Sequence, residues 1–175
     1  RIECRSWSCF ETTSSFVRFY MQVFMPFENP YHSLNCLDTR RLGKQRVEAS
    51  QIIKIIESQS TGAWSNHPAT NMYRGYLEWL KAYYNLSLLL FESRGGNNIK
   101  LGRIPVDTAN LIIPSFIGNT DFHKSHQSNL LRKAIDDSYG IGRNGDKKPS
   151  EELRDRLAEY GITEENTPLD LEYVW

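Results

Sequence analysis

Residues Leu37 to Ile56, LDTRRLGKQRVEASQIIKII, combine one acid with several bases at helical spacing. One side of the predicted helix carries three donors and one carboxylate: Arg41, Lys44, Gln45 and Glu48. Four of the five basic residues of this stretch lie within the seven positions from Arg40 to Arg46. A cationic surface of this kind suits an anion, and a single glutamate inside it suits acid–base chemistry. The alternative is a solvated helix face with surface salt bridges.

A second polar cluster, DFHKSHQSNLLRK, spans Asp121 to Lys133. Histidine, asparagine and the free amides of a helix N-terminus all contact phosphate oxygens, so we predict that this helix start faces phosphates. The candidate side chains are His123, Lys124, His126, Gln127, Asn129 and Arg132. An ordinary polar helix cap is the alternative. A metal site is disfavoured because no third Cys or His and no HExxH-type acid accompany the two histidines.

A third cluster, WSNHPATNMYR, covers Trp64 to Arg74. Asn66 and His67 precede a predicted helix that continues into Arg74, and Pro68 suits the first turn of that helix. Aromatic rings and a basic group beside a helix start can stack on or bracket a nucleotide. The alternative is that the aromatic residues belong to the core. No GxxxxGK[ST], GxGxxG or GxSxG motif occurs, so the sequence gives no sign of a P-loop, a dinucleotide site or a hydrolase elbow.

The elements that must position these clusters are mainly helices. The apolar periodicity predicts a helix over 37–56 that Asp38 or Thr39 caps, and a long core helix over 69–94 that ends at Gly95. Further helical segments are predicted over 121–135 and 150–160, whereas 28–35 is predicted as a loop. No stretch has a convincing period of two. We therefore predict a mainly α, compact single-domain fold with long loops and no substantial sheet.

Composition indicates one folded domain, since 39% of the 175 residues are hydrophobic and 24% are charged. The net charge of zero hides an asymmetry. Residues 145–175 hold nine acids and four bases, net −5, so the remainder is net +5. No run of about 18 apolar residues occurs, and we expect no membrane segment. We also expect a monomer that needs no metal and no cofactor.

Three parts of the chain differ in character. Residues 1–20 lack periodicity and a signal-peptide pattern, so we interpret them as an atypical leader outside the domain. Residues 21–145 form the predicted helical domain, and 146–175 an acidic helix and tail. Cys4, Cys9 and Cys36 are too scattered for a disulfide framework, which favours a reducing, cytoplasmic location.

The motifs LDTRRLGKQRVEA, WSNHPATNMYRGY and FHKSHQSNLLRK resemble the pyrimidine-dimer DNA glycosylases of endonuclease V type, in a branch found in phages and bacteria. The resemblance covers about 21–133. Leu37, Leu42 and Glu48 match the spacing of two leucines and the catalytic glutamate in that family's first helix. The resemblance implies double-stranded DNA as the partner, and base excision through an amine nucleophile followed by strand cleavage.

In that family the nucleophile is the α-amine of the chain terminus, which here points to Met21 if the chain starts there. Lys44, one turn before Glu48, is the substitute candidate. Phosphate contacts are expected from Arg40, Arg41, Lys44 and Arg46, and from the two later clusters. Val47 stands where the family has a second basic residue, which questions the dimer as substrate more than the reaction class. The alternatives are a DNA-binding module without catalysis and an enzyme for modified nucleotides on the same scaffold.

Overall fold

The computed structural model describes residues 21–59, 61–62, 64–135 and 150–174. The described residues form six α-helices and one short 3₁₀ turn, with no strand among them: α1 Pro30–Asn35, α2 Thr39–Glu57, α3 Pro68–Tyr73, α4 Leu77–Ser93, the 3₁₀ turn Thr108–Asn110, α5 Thr120–Ile135 and α6 Glu151–Glu159. The predicted mainly α fold is therefore confirmed. None of the helices in this part of the chain is long and apolar enough to cross a membrane.

The core forms where α2 packs along α4, with α5 and α6 closing it. Leu42, Ala49 and Ile53 of α2 are fully buried, as their helical spacing predicted, and Ile56 is partly buried. α4 contributes three aromatic residues and three leucines, α5 contributes Phe122, Leu130, Leu131 and Ala134, and α6 contributes Leu153 and Leu157. Burial of this apolar surface is the main driving force that holds the helices together.

Helix boundaries follow short capping side chains. Asp38, not Thr39, caps α2 and accepts a hydrogen bond from the Arg41 amide. Ser150 caps α6 in the same way, and its hydroxyl also donates to Asp38, which joins the two helix starts. Residues 138–150 are rich in glycine and lysine, which predicts a loop, and all of them except Ser150 lie outside the described residues.

Two predicted boundaries were wrong. The single helix predicted over 69–94 is two helices, because Arg74 and Gly75 form a turn and Tyr76 has a non-helical backbone, φ −132°. Glycine disfavours helix, and the break lets the chain change direction there. The loop predicted at 28–35 contains α1, which Asn29 caps and Pro30 opens.

The ring of Phe91 fills the space between two glycines that lie on different segments. A β-carbon at Gly96 would lie 2.3 Å from two ring carbons of Phe91, and one at Gly43 would lie 3.1 Å away. The guanidinium of Arg46 sits over the same ring, 4.1 Å from its centre. Glycine at position 96 therefore lets the chain after α4 pass the Phe91 ring without displacing it.

Gly96→Ala should destabilise the protein by about 1–3 kcal/mol, because the Phe91 ring must move against Arg46 and α2. Gly102→Ala is the matched control, since no atom lies within 4 Å of its added carbon. We expect that control to change stability by no more than about 0.5 kcal/mol. Urea unfolding of both variants measures the difference, and equal stabilities would contradict this packing.

Candidate active site

Residues 21–25 form a buried segment without helix and without a partner strand among the described residues. Its backbone groups are bonded by side chains instead. Gln45 of α2 accepts from the Phe24 amide at 2.8 Å and donates to the Gln22 carbonyl at 2.6 Å. Tyr83 of α4 donates to the Phe24 carbonyl at 3.0 Å. A buried backbone group without a partner is costly, so these bonds are what allows the segment to lie inside.

Two histidines of α5 bond the next residue of the segment. His126 Nδ1 accepts from the Met25 amide at 3.0 Å, and His123 Nδ1 lies 2.7 Å from the Met25 carbonyl, to which it donates. Gln127 donates to the Pro26 carbonyl at 2.7 Å. The sequence predicted phosphate contacts for these three side chains. In this structure they bond the 21–26 backbone instead, and His126, which is only 1% exposed, has no surface to offer a phosphate.

Glu48 lies behind this segment and is almost buried, with 7% of the residue exposed. Lys44 Nζ is 3.3 Å from Oε1, and Gln45 Nε2 is 3.5 Å from Oε2. Burial raises the pKa of Glu48 to about 7, while Lys44, the Gln22 amide that bonds it and the charge of Lys133 hold that pKa down in part. The carboxyl group is therefore poised to give or take a proton near neutral pH.

A cavity of about 540 Å³ opens onto Glu48. This volume is in the range of small-molecule sites, about 300–1,000 Å³. Its lining is largely apolar, with polar groups at a few points: Met21, Lys44, Val47, Glu48, Gln51, Lys54, Ile55 and Trp64. The structure thus brings together the three residues predicted to be catalytic, Met21, Lys44 and Glu48. Sequence reasoning missed Gln51, Lys54 and Ile55, although their spacing from Glu48 places them on neighbouring faces of α2.

The cationic residues of α2 divide into two groups. Lys44 and Lys54 are exposed beside the cavity, and Arg40 is exposed in the first turn. Arg41 forms an ion pair with Asp38 and donates to the Lys133 carbonyl at 3.3 Å, whereas Arg46 donates to Asn98 at 2.8 Å. Arg41 and Arg46 therefore tie α2 to other parts of the fold.

The cluster around α3 is mostly structural. His67 caps α3 by accepting from the Ala69 amide at 3.2 Å, and burial lowers its pKa. Arg74 donates to the Ser65 carbonyl and to Asn71, so it ties α3 to the turn before it. Asn66 is exposed in that turn. Trp64 is half-exposed and lines the cavity, with its ring centre 5.5 Å from that of His67.

The remaining residues of the α5 cluster point in different directions. Lys124 is exposed. Asn129 is half-buried, and its side-chain oxygen is buried without a hydrogen-bond partner. Arg132 donates to the carbonyl groups of Leu169 and Leu171 in the C-terminal segment. Of the α5 residues predicted to meet phosphates, Lys124 is the exposed one, and Arg132 is partly buried.

The buried carboxylate should make stability depend on pH. Its pKa is above that of an unfolded glutamate, so the folded state binds the proton more tightly and loses stability as pH rises from about 4.5 through about 7. Glu48→Gln should therefore stabilise the protein by on the order of 2–3 kcal/mol at pH 8 and by little at pH 4. Thermal melts of both proteins across this range measure the difference.

Lys44→Met provides the internal control. Removal of the nearby ammonium should raise the pKa of Glu48 further and shift the pH-dependent loss of stability to higher pH. If the difference in stability between Glu48→Gln and the parent chain does not vary with pH, the pKa assigned to Glu48 is contradicted.

The part of the chain that holds this cavity is similar to a known protein family. Residues 21–101 match the model of the pyrimidine dimer DNA glycosylase family. The chain matches no curated protein and no solved structure. The matched part begins at Met21 and includes α1 to α4, hence every residue that lines the cavity, whereas α5 and the C-terminal segment lie beyond it. This match confirms the resemblance to that family which the motifs of the sequence show.

Proposed function

We propose that this protein excises a damaged or modified base, such as a pyrimidine dimer, from duplex DNA. One observation carries the proposal: Glu48, with a pKa near 7, lies at a cavity beside residue 21 and Lys44. A proton-transfer catalyst works best when its pKa is close to the working pH. The family match over residues 21–101 supports DNA repair as the setting.

The proposed reaction starts when an unprotonated amine attacks C1′ of the deoxyribose. The bond between C1′ and the base breaks, and the base leaves with that electron pair and with a proton that Glu48 can donate. Ring opening then breaks the bond between C1′ and O4′, and O4′ takes the proton that the amine nitrogen loses. The product is a protonated Schiff base, whose positive charge acidifies the C2′ hydrogen. Glu48, now a carboxylate, takes that hydrogen as a proton, and β-elimination breaks the C3′–O bond to phosphate. One group can serve both steps because its pKa lies near neutrality.

Met21 is the favoured source of the amine. The Gln22 amide bonds the Glu48 carboxylate, which brings the backbone at residue 21 next to the proton-transfer group. In a chain that begins at Met21, the α-amine would lie there, and its ordinary pKa of about 7.7–8.0 leaves free base at neutral pH. The family match also begins at residue 21, which supports a domain start at that point. Lys44, 3.3 Å from Glu48, is the alternative nucleophile.

The exposed face of α2 is the proposed DNA surface. Its solvent-exposed residues recur every three or four positions: Arg40, Lys44, Val47, Gln51 and Lys54. The cationic residues of this row can contact phosphates on both sides of the cavity. An enzyme that reaches C1′ inside a duplex must displace a nucleotide. The apolar cavity with Trp64 at its edge can receive such a base by stacking. Lys124 of α5 is a further candidate for phosphate contact.

A second candidate is an enzyme that acts on modified nucleotides, which the cavity volume favours because such a substrate fits without a duplex. Duplex affinity separates the two, since a nucleotide enzyme would bind duplex DNA weakly. A binding module without catalysis would retain duplex affinity and would be indifferent to Glu48→Gln.

Borohydride trapping tests the proposed chemistry. Chains that start at Arg1 and at Met21 are incubated with duplexes that carry an abasic site or a cyclobutane dimer, and the Schiff base is reduced to a stable adduct. We expect an adduct from the chain that starts at Met21. Glu48→Gln should slow the formation of that adduct by at least about 100-fold, because general acid–base catalysis contributes at least that factor.

The same experiment separates the nucleophiles. An adduct from both chains that disappears with Lys44→Met would assign the reaction to Lys44. No adduct from either chain, with tight binding to the damaged duplex, would contradict the lyase and leave a monofunctional glycosylase or a binding module.

Lys54→Ala tests the DNA surface. Loss of one phosphate contact should weaken binding to all duplexes about equally and lower the slope of log K against log salt by about 1. Lys124→Ala is the comparison, because Lys124 is an exposed lysine on α5. A salt slope that falls for Lys124→Ala and not for Lys54→Ala would move the DNA surface from α2 to α5.

A further inference from the structure

The C-terminal segment, residues 169–174, folds back along α5. Arg132 donates to the carbonyl groups of Leu169 and Leu171. At the far end, the Val174 amide donates to Ser125 Oγ at 3.2 Å, and the Val174 carbonyl lies 3.1 Å from His126 Nε2. These contacts join residues about 40 to 50 positions apart, so the segment is held along about two turns of α5.

The bond to Val174 determines which nitrogen of His126 carries the proton. A carbonyl oxygen only accepts, so Nε2 must donate to it. A neutral imidazole has one donor and one acceptor, so Nδ1 is left unprotonated. Nδ1 is the atom that accepts from the Met25 amide at 3.0 Å. The C-terminal segment thus selects the tautomer that holds the segment 21–25 in place.

Aromatic packing closes this arrangement to water. The ring of Tyr173 lies over His126, with centres 4.4 Å apart, and meets Phe24 edge-on at 6.4 Å. The ring of Phe122 also packs against the imidazole, with 4.3 Å between centres. Burial lowers the pKa of His126 to about 3, aided by the proximity of His123. The imidazole therefore stays neutral at the pH of any cell, and its two bonds persist.

We propose that the C-terminal segment is a positioning element of the catalytic site, which acts through the His126 tautomer to hold the segment 21–25, and with it Met21, beside Glu48. The inference rests on the proposed function, and it assigns a role to a part of the chain beyond the family match. The opposite role of the C-terminal segment would be to compete with DNA, since Asp170 and Glu172 are exposed acids within that segment.

Nitrogen NMR of the intact chain is the first test. Two-bond proton–nitrogen correlation of ¹⁵N-labelled histidine should show His126 as the neutral Nε2–H tautomer, and His123 as the neutral Nδ1–H tautomer because its Nε2 accepts from the Gly118 amide. His126→Gln assigns the signal. A His126 ring that is charged or protonated at Nδ1 at pH 7 would overturn the inference, whether or not the protein forms an adduct with DNA.

Kinetics of truncated chains are the second test. A chain that ends at Asp170 should form the trapped adduct about 10- to 100-fold more slowly, because residue 21 is misplaced, with little change in duplex affinity. His126→Phe should show the same loss, and the double variant no further loss. Glu172→Gln is the control in the same segment, and we expect the parent rate. Circular dichroism confirms that each variant is folded.

The outcomes of these experiments distinguish a failure of the positioning role from a failure of the proposed function. A truncated chain that forms the adduct at the parent rate would overturn the positioning role. If that chain also binds DNA more tightly than the parent chain, the segment competes with DNA instead. If no chain forms an adduct, the proposed function fails, and the histidine tautomers still decide whether the C-terminal segment holds the segment 21–25.

Discussion

The structure depends on one unusual constraint: a buried segment at residues 21–25 is not helical and has no strand to pair with in the part of the chain that is described. Each buried amide or carbonyl left without a partner would cost about 1–3 kcal/mol. Three helices meet this demand with side chains, Gln45 from α2, Tyr83 from α4, and His123 and His126 from α5. The helices are thus tied to the segment and, through it, to one another.

The same arrangement creates the site. Gln45 bonds the segment and also approaches Glu48, and the Gln22 amide bonds the Glu48 carboxylate. Glu48 is therefore buried by the segment that brings residue 21 to it. Burial of an ionisable group disfavours its charged form, so the site lowers stability at the pH where it is useful. Such a cost is common where a protein keeps a group for chemistry and not for packing.

Part of the fold and of the candidate site could be predicted from the sequence. The period of α2 identified Leu42, Ala49 and Ile53 as buried residues and placed Lys44 and Glu48 one turn apart, because helix geometry is local. Asp38 and Ser150 are recognisable caps for the same reason. The α5 histidines were predicted as phosphate ligands because their partner, Met25, is about 100 positions away and no local pattern reveals it. Gly75 gave a visible sign of the helix break, but a single glycine is often tolerated in a helix.

The ionisation of Glu48 tests the account most directly, since burial by the segment 21–25 and the proton-transfer role both depend on it. The side-chain carboxyl carbon of glutamate can be labelled with ¹³C, and its chemical shift followed from pH 4 to pH 9, with Glu48→Gln to assign the signal. We expect a midpoint at about 7. A midpoint at the ordinary glutamate value of about 4.3 would show an exposed carboxylate and would contradict the account.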